Sequence, residues 1–187
     1  MSTLKTGVAL IAYALLSVSL SSCSSTMPNG DMSRNAMSSY DTYNPRDYDE
    51  RLPQNIASTT KTIVVDPNVH AWGAYQDGKL VKAGLATAGS SYCADIGRPC
   101  RTRSGTFHIQ SLGSADCKSH IYPLPRGGAP MPYCMYFNGG QGLHGSYPGN
   151  VVEGNVSHGC VRMHVADAEW IRYNFANVGT KVVVKSY

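Results

Sequence analysis

The chain has 187 residues, of which 42% are hydrophobic and 15% charged, and its formal net charge is +4. The basic residues are scattered, with one small group at Arg98, Arg101 and Arg103. The clustered basic stripe that nucleic-acid binding requires is therefore missing, which excludes nucleic acid as a partner.

Lys5 precedes a small and apolar run from Gly7 to Leu20, too short to span a bilayer comfortably, which reads as the hydrophobic core of a signal peptide over residues 1–22. The run ends in Leu20-Ser21-Ser22-Cys23, which resembles the bacterial lipobox, cleaved just before a cysteine that then carries lipid. The resemblance implies a lipoprotein held on the membrane through Cys23, on the periplasmic side of the envelope. Ser24, in place of Asp, points to the outer membrane. Plain secretion with cleavage among Ser21 to Ser25 is the alternative. Removing the first 22 of 187 residues takes away one charge, Lys5, and leaves 165 residues at a net charge of +3.

From Ser24 to about Ser58 the chain is rich in Ser, Asn, Asp, Pro, Met and Tyr and has no apolar periodicity, so residues 23–60 read as the lipidated cysteine and a flexible tether. A coil of that length reaches roughly 30 Å. A domain is expected over 61–187. Thr62-Ile63-Val64-Val65-Asp66-Pro67 reads as a strand ended by a turn, and Ala71–Tyr75 and Lys79–Ala83 flank Gln76-Asp77-Gly78 as a hairpin. Short strands are expected at Gly105–Ile109, Tyr133–Phe137 and Val182–Val184. One helix is predicted, Val165 to about Phe175, where Ala168, Ile171 and Phe175 fall at helical spacing and Asp167 and Glu169 suit the first turn. The fold class is mainly β.

Six cysteines in an exported chain call for a partition. With Cys23 given to lipid and Cys160 to chemistry, Cys93, Cys100, Cys117 and Cys134 allow three connectivities. The sequence-local pairs Cys93 with Cys100 and Cys117 with Cys134 are favoured, in a compartment oxidising enough to form them. An unpaired thiol that persists there is usually kept for its reactivity, and Cys160 is the one left over.

Its neighbours support that reading. Ser157-His158-Gly159-Cys160 follows His144-Gly145 by 16 positions from histidine to cysteine. A thiol attacks an amide as thiolate, so it needs a base or a cation close by, and imidazole suits that near neutral pH. Gly159 frees the backbone before the nucleophile, so that main-chain N–H groups can converge on an oxyanion. His158 by itself reads as a structural, hydrogen-bonding histidine. This arrangement resembles the signature of L,D-transpeptidase (YkuD-like) catalytic domains. Thr102-Arg103-Ser104-Gly105-Thr106-Phe107 is similar to that family's Thr-Pro-x-Gly-x-Phe segment, with Arg103 where Pro is usual. Met131-Pro132-Tyr133 through Phe137, Gly142-Leu143-His144-Gly145 and Gly179–Val184 are similar to further strands of the family.

The resemblance implies a β-sandwich-like fold with one short helix after the cysteine, Cys160 as nucleophile and His144 as general base, oriented by the carbonyl of Gly145. It implies oxyanion N–H groups at His158, Gly159 and Cys160, and substrate contacts at Ser157, Arg162 and Tyr133, with Arg162 suited to a carboxylate. Peptidoglycan stem peptides are the expected partners of a monomer needing neither cofactor nor metal. Two other readings stand beside this one: a hydrolase (L,D-carboxypeptidase) on the same scaffold, with water replacing the amine, and a non-catalytic lipoprotein that binds the envelope, or zinc through His144, His158, Cys160 and His164.

Overall fold

A computed structural model describes residues 46–187, so the expected signal peptide and Cys23 lie outside the described residues. Among the described residues nine strands form two sheets. They are β1 (Thr62–Asp66), β2 (Ala71–Gln76), β3 (Lys79–Leu85), β4 (Gly105–His108), β5 (Ser111–Leu112), β6 (Met135–Asn138), β7 (Gln141–Ser146), β8 (Val161–His164) and β9 (Lys181–Val184). The first sheet has the order β3-β2-β1-β9-β4 and the second β5-β6-β7-β8. The β2–β3 hairpin turns on Asp77 (φ 51°) and Gly78 (φ 77°), the two left-handed residues that a tight hairpin turn demands.

The central core draws on both sheets. Ile63 and Val65 of β1, Trp72 of β2, Met135 and Phe137 of β6, Leu143 of β7, Val161 and Met163 of β8 and Val182 of β9 are all buried in one cluster. Phe107 of β4 meets Phe137 of β6 with ring centroids 5.4 Å apart. The expected helix is present as α2 (Val165–Trp170), continued by a π-helical turn over Ile171–Phe175, and it buries Ala168, Ile171 and Phe175 against this core. Among the described residues no helix is long and apolar enough to cross a membrane.

The expected tether is shorter than the sequence suggested. A short helix α1 (Arg46–Asp49) opens a segment in which Tyr48 and Leu52 are buried, packing with Ala71, Ala83, Leu85 and Val151 in a second cluster. Tyr75 donates its hydroxyl to the carbonyl of Pro53 (2.8 Å), and Ile56 N–H bonds to Gly78 O (2.8 Å). Composition suggested a coil because just two large side chains do the anchoring, too few to create a periodicity. The fit is close: a Cβ placed on Gly73 would lie 2.8 Å from Leu52 Cδ1.

Leu52→Ala should therefore destabilise the domain by about 2–4 kcal/mol in denaturant melts, as buried leucines do. A change within about 0.5 kcal/mol, the usual range for surface substitutions, would return residues 46–60 to the tether.

Candidate active site

The predicted nucleophile and base are brought together by the parallel pairing of β7 and β8. Leu143 lies opposite Val161 and His144 opposite Arg162. Cys160 stands one residue ahead of β8, and with His144 it lines a cavity of about 640 Å³. Its thiol is free and half-buried, with Sγ 3.5 Å from the carbonyl of Gly140. Burial pushes the thiol above its ordinary range, against the opposing pull of a backbone hydrogen bond from Gly142 and the charge of Arg162.

His144 is buried, and its Nδ1 lies 2.8 Å from the carbonyl of Gly145. A carbonyl accepts and cannot donate, so Nδ1 carries the hydrogen and Nε2 is left as the acceptor for a thiol proton. Desolvation, with a smaller contribution from Arg162, lowers the imidazole to about 4, while the bond to Gly145 opposes the shift. Near neutrality the resting pair is thus thiol and neutral imidazole. Gly145 is itself confined: a Cβ there would lie 3.0 Å from Val165 Cα and 3.2 Å from Pro132.

The turn that carries the nucleophile is fixed from within and from outside. Ser157 Oγ donates to the carbonyl of Cys160 and accepts from Gly159 N–H (3.1 Å). Ser157, expected as a substrate contact, lines the cavity but has its hydroxyl committed to the turn. Gly159 was expected to offer an oxyanion N–H; that hydrogen is spent on Ser157, which leaves the amides of His158 and Cys160 as the candidates. Gly159 adopts φ +119°, a conformation that side chains resist, with Gln141 Nε2 3.1 Å from where a Cβ would stand.

Outside the turn, buried Thr102 donates its hydroxyl to Gly159 O (2.9 Å) and accepts from Gly89 N–H (2.9 Å). Tyr187 completes the brace: its hydroxyl donates to Gly89 O (2.7 Å) and accepts from Thr102 N–H (2.9 Å). Ser90 N–H reaches Ser157 O (2.8 Å) and Ser157 N–H reaches Ala88 O (3.0 Å). Gln141 Oε1 accepts from Arg103 N–H (3.0 Å), a bond that a proline at 103 has no hydrogen to make.

Cys93 is bonded to Cys100, and Cys117 to Cys134. The first disulfide backs the nucleophile turn, with Cys93 Sγ 3.8 Å and Cys100 Sγ 3.6 Å from Ser157 O. From the same loop Asp95 takes both carboxylate oxygens to His158 Nε2 (2.9 and 2.7 Å), and the Tyr122 ring lies against the His158 ring, tilted by 38° with centroids 4.5 Å apart. His158 is thereby occupied as a structural partner. Arg162 lines the cavity, with a long contact from its guanidinium to Asn150 O (3.5 Å).

Tyr133 is not brought to the cavity. Its hydroxyl donates to Glu169 (2.8 Å) and its ring meets Tyr173 edge-on at 5.7 Å, next to the core. The zinc quartet is not assembled either: the one candidate metal group among the described residues is Cys93, Asp95 and His158, whose sulfur is already in a disulfide. Sequence reasoning passed over Tyr187, Gln141 and Asp95, which act through position; Thr102 stood in the quoted motif with no role attached.

A family model described as the L,D-transpeptidase catalytic domain, YkuD, matches residues 60–184. No curated protein matches. Among solved structures, an L,D-transpeptidase from Xylanimonas cellulosilytica is 25% identical with a TM-score of 0.59, over 73% of this chain and 66% of that one. An L,D-transpeptidase from Mycobacterium smegmatis is 22% identical at TM-score 0.56, over 67% and 58%, and one from Stackebrandtia nassauensis is 22% identical at TM-score 0.54, over 80% and 62%. The chain thus spans less than two thirds of each of these proteins.

Because the resting thiol is neutral and raised, alkylation of Cys160 by iodoacetamide should climb steeply between pH 6 and pH 9, with no plateau near pH 5 of the kind an imidazolium-thiolate pair gives. Arg162→Gln removes a cation that favours thiolate, so it should push the titration still higher and slow alkylation severalfold at pH 8. A rate flat from pH 5 upward would contradict the neutral resting pair.

Proposed function

The chain belongs to the L,D-transpeptidase catalytic-domain family, and from this premise we propose that it acts on tetrapeptide stems of peptidoglycan through a Cys160 thioester. His144 Nε2 takes the thiol proton as sulfur attacks the carbonyl of the third, L-centred stem residue. The tetrahedral oxyanion is met by main-chain N–H groups at His158 and Cys160, each of which contributes about 3–4 kcal/mol when well placed. The C–N bond to D-Ala then breaks, the departing amine takes the proton from His144, and a C–S bond remains. An acceptor amine, such as a diaminopimelate side chain, attacks the thioester, forming an amide and returning the proton to the thiol.

The observation that carries this reading is the bond from His144 Nδ1 to Gly145 O beside a free thiol in one cavity. The same acylation followed by water is carboxypeptidase chemistry, so the two activities part at the second step. Incubating the full chain with labelled disaccharide-tetrapeptide should release D-Ala and give a dimer by mass, and Cys160→Ala should lose at least about a thousandfold, as nucleophile removal does elsewhere. Trimmed stem without dimer would make the protein a hydrolase. Full activity in Cys160→Ala, or dependence on a pentapeptide donor, would dismiss the thioester.

We also propose that Cys23 carries lipid and holds the protein on the periplasmic side of the envelope, at the outer membrane, as the Leu20–Cys23 pattern suggests. Two or three acyl chains hold a membrane far more firmly than a single myristoyl chain does. Cells fed a labelled fatty acid should label the chain, and Cys23→Ser should not; equal labelling of both forms rules this anchor out.

A further inference from the structure

Resting on the activity proposed above, we infer that the donor site selects stems with free carboxylates, and that Arg98, on the Cys93–Cys100 loop, is the residue that reads one of them. The cavity that holds Cys160 is lined by two guanidiniums, Arg98 and Arg162, and by no aspartate or glutamate. Among the described residues no carboxylate pairs with either. The acid closest to the site along this loop, Asp95, is taken up by His158, both of its oxygens lying within 2.9 Å of Nε2. The lining itself therefore carries two fixed positive charges and no carboxylate, an arrangement that favours an anionic ligand and disfavours a cationic one.

The backbone at Arg98 is set by covalent and hydrogen bonds, and its exposed side chain lines the cavity. Cys93 N–H donates to Arg98 O (3.0 Å), closing the loop just inside the Cys93–Cys100 disulfide, and that disulfide lies against Ser157 O in the nucleophile turn. Arg98 and Arg162 thus approach the cavity from two different elements, each fastened to the turn that carries the thiol. A tetrapeptide stem of the proposed kind carries a terminal carboxylate next to the scissile amide and further carboxylates upstream, on its second and third residues. Arg162, two residues beyond Cys160, suits the terminal group, and Arg98 an upstream one. A guanidinium binds a carboxylate through paired N–H bonds that a carboxamide cannot match, so amidation of the stem is what this subsite detects.

Binding and turnover separate this inference from the activity on which it rests. Full-length Cys160→Ala is titrated with the free-carboxyl tetrapeptide and with tetrapeptides amidated at the second or the third residue, each with Arg98 intact and with Arg98→Gln or Arg98→Lys. The expected result is about tenfold weaker binding of one amidated peptide, a similar loss on Arg98→Gln with the free peptide, no further loss when both changes are combined, and only partial recovery in Arg98→Lys, which keeps the charge and loses the paired N–H geometry. In the enzyme with Cys160 intact, Arg98→Gln should raise KM about tenfold and leave kcat within about twofold. Equal binding of all peptides, or an Arg98→Gln loss that is the same for free and amidated stems, overturns the role of Arg98. Discrimination by Arg98 in binding without any thioester or D-Ala release upholds the subsite and removes the proposed activity instead.

Discussion

The bond from His144 Nδ1 to the carbonyl of Gly145 sets the terms on which the site works. A carboxylate in that position would favour imidazolium; a carbonyl fixes the tautomer with far less pull on the charge. Burial then keeps the ring neutral, and Arg162 acts in the same direction on it while acting in the opposite sense on the thiol, where it favours the thiolate. One cation therefore disfavours proton uptake by the base and eases proton loss from the nucleophile. The pair is held uncharged at rest, and in the proposed reaction charge separation is deferred to the moment when a substrate carbonyl receives it. Solvent-poor surroundings make that separation costly unless fixed dipoles await it, which is the part left to the amides of the nucleophile turn.

Those dipoles are useful only if the turn does not relax. Its hydrogen bonds come from widely separated stretches of chain: the backbone of Ala88 and Ser90 and the hydroxyl of Thr102, with Gly89 and Tyr187 bracing Thr102 in turn. Each neutral hydrogen bond is worth on the order of 1 kcal/mol net, and leaving a buried partner unsatisfied costs about 1–3 kcal/mol. Loss of one hydroxyl in such a set therefore orphans its partners as well. Gly89 shows how little slack exists, since a Cβ there would lie 2.2 Å from the carbonyl of Cys100. The nucleophile turn is thus wedged between the disulfide loop and the β7–β8 pair.

The candidate site was legible in the sequence because it depends on residue type at fixed spacing: a thiol, an imidazole 16 positions upstream and a glycine beside the cysteine. The β1 strand and the β2–β3 hairpin were legible for a similar reason, since alternation and an Asp-Gly turn are local properties. The helix after Cys160 was placed correctly, although its second half is wound as a π-helix, which spacing alone does not specify. What the sequence hid is long-range. The family resemblance implied a substrate contact at Tyr133, but a left-handed φ of 59° there accompanies a side chain that meets Glu169 and Tyr173 instead. Residues 46–60 looked like a coil because Tyr48 and Leu52 find their partners in strands and loops far along the chain.

The segment between β5 and β6 raises a different physical question, because it contributes cavity wall with almost no core of its own. Most of residues 113–130 are exposed, and Ile121 and Leu124 leave about half of their surfaces in solvent, at 55% and 52%. Burial at about 25 cal/mol per Å² therefore contributes little here, and the ordering entropy of an irregular stretch must be offset in another way. Local hydrogen bonds supply some of it: Ser119 Oγ accepts from Ile121 and Tyr122 N–H, and Gly128 N–H reaches Ser119 O. The Cys117–Cys134 disulfide, closing 17 positions, takes roughly 3 kcal/mol of loop entropy out of the unfolded chain. Wall residues such as Tyr122, tilted against His158, can then be held at the cavity without the apolar packing that would fill it. A covalent staple is the solution that leaves the groove open.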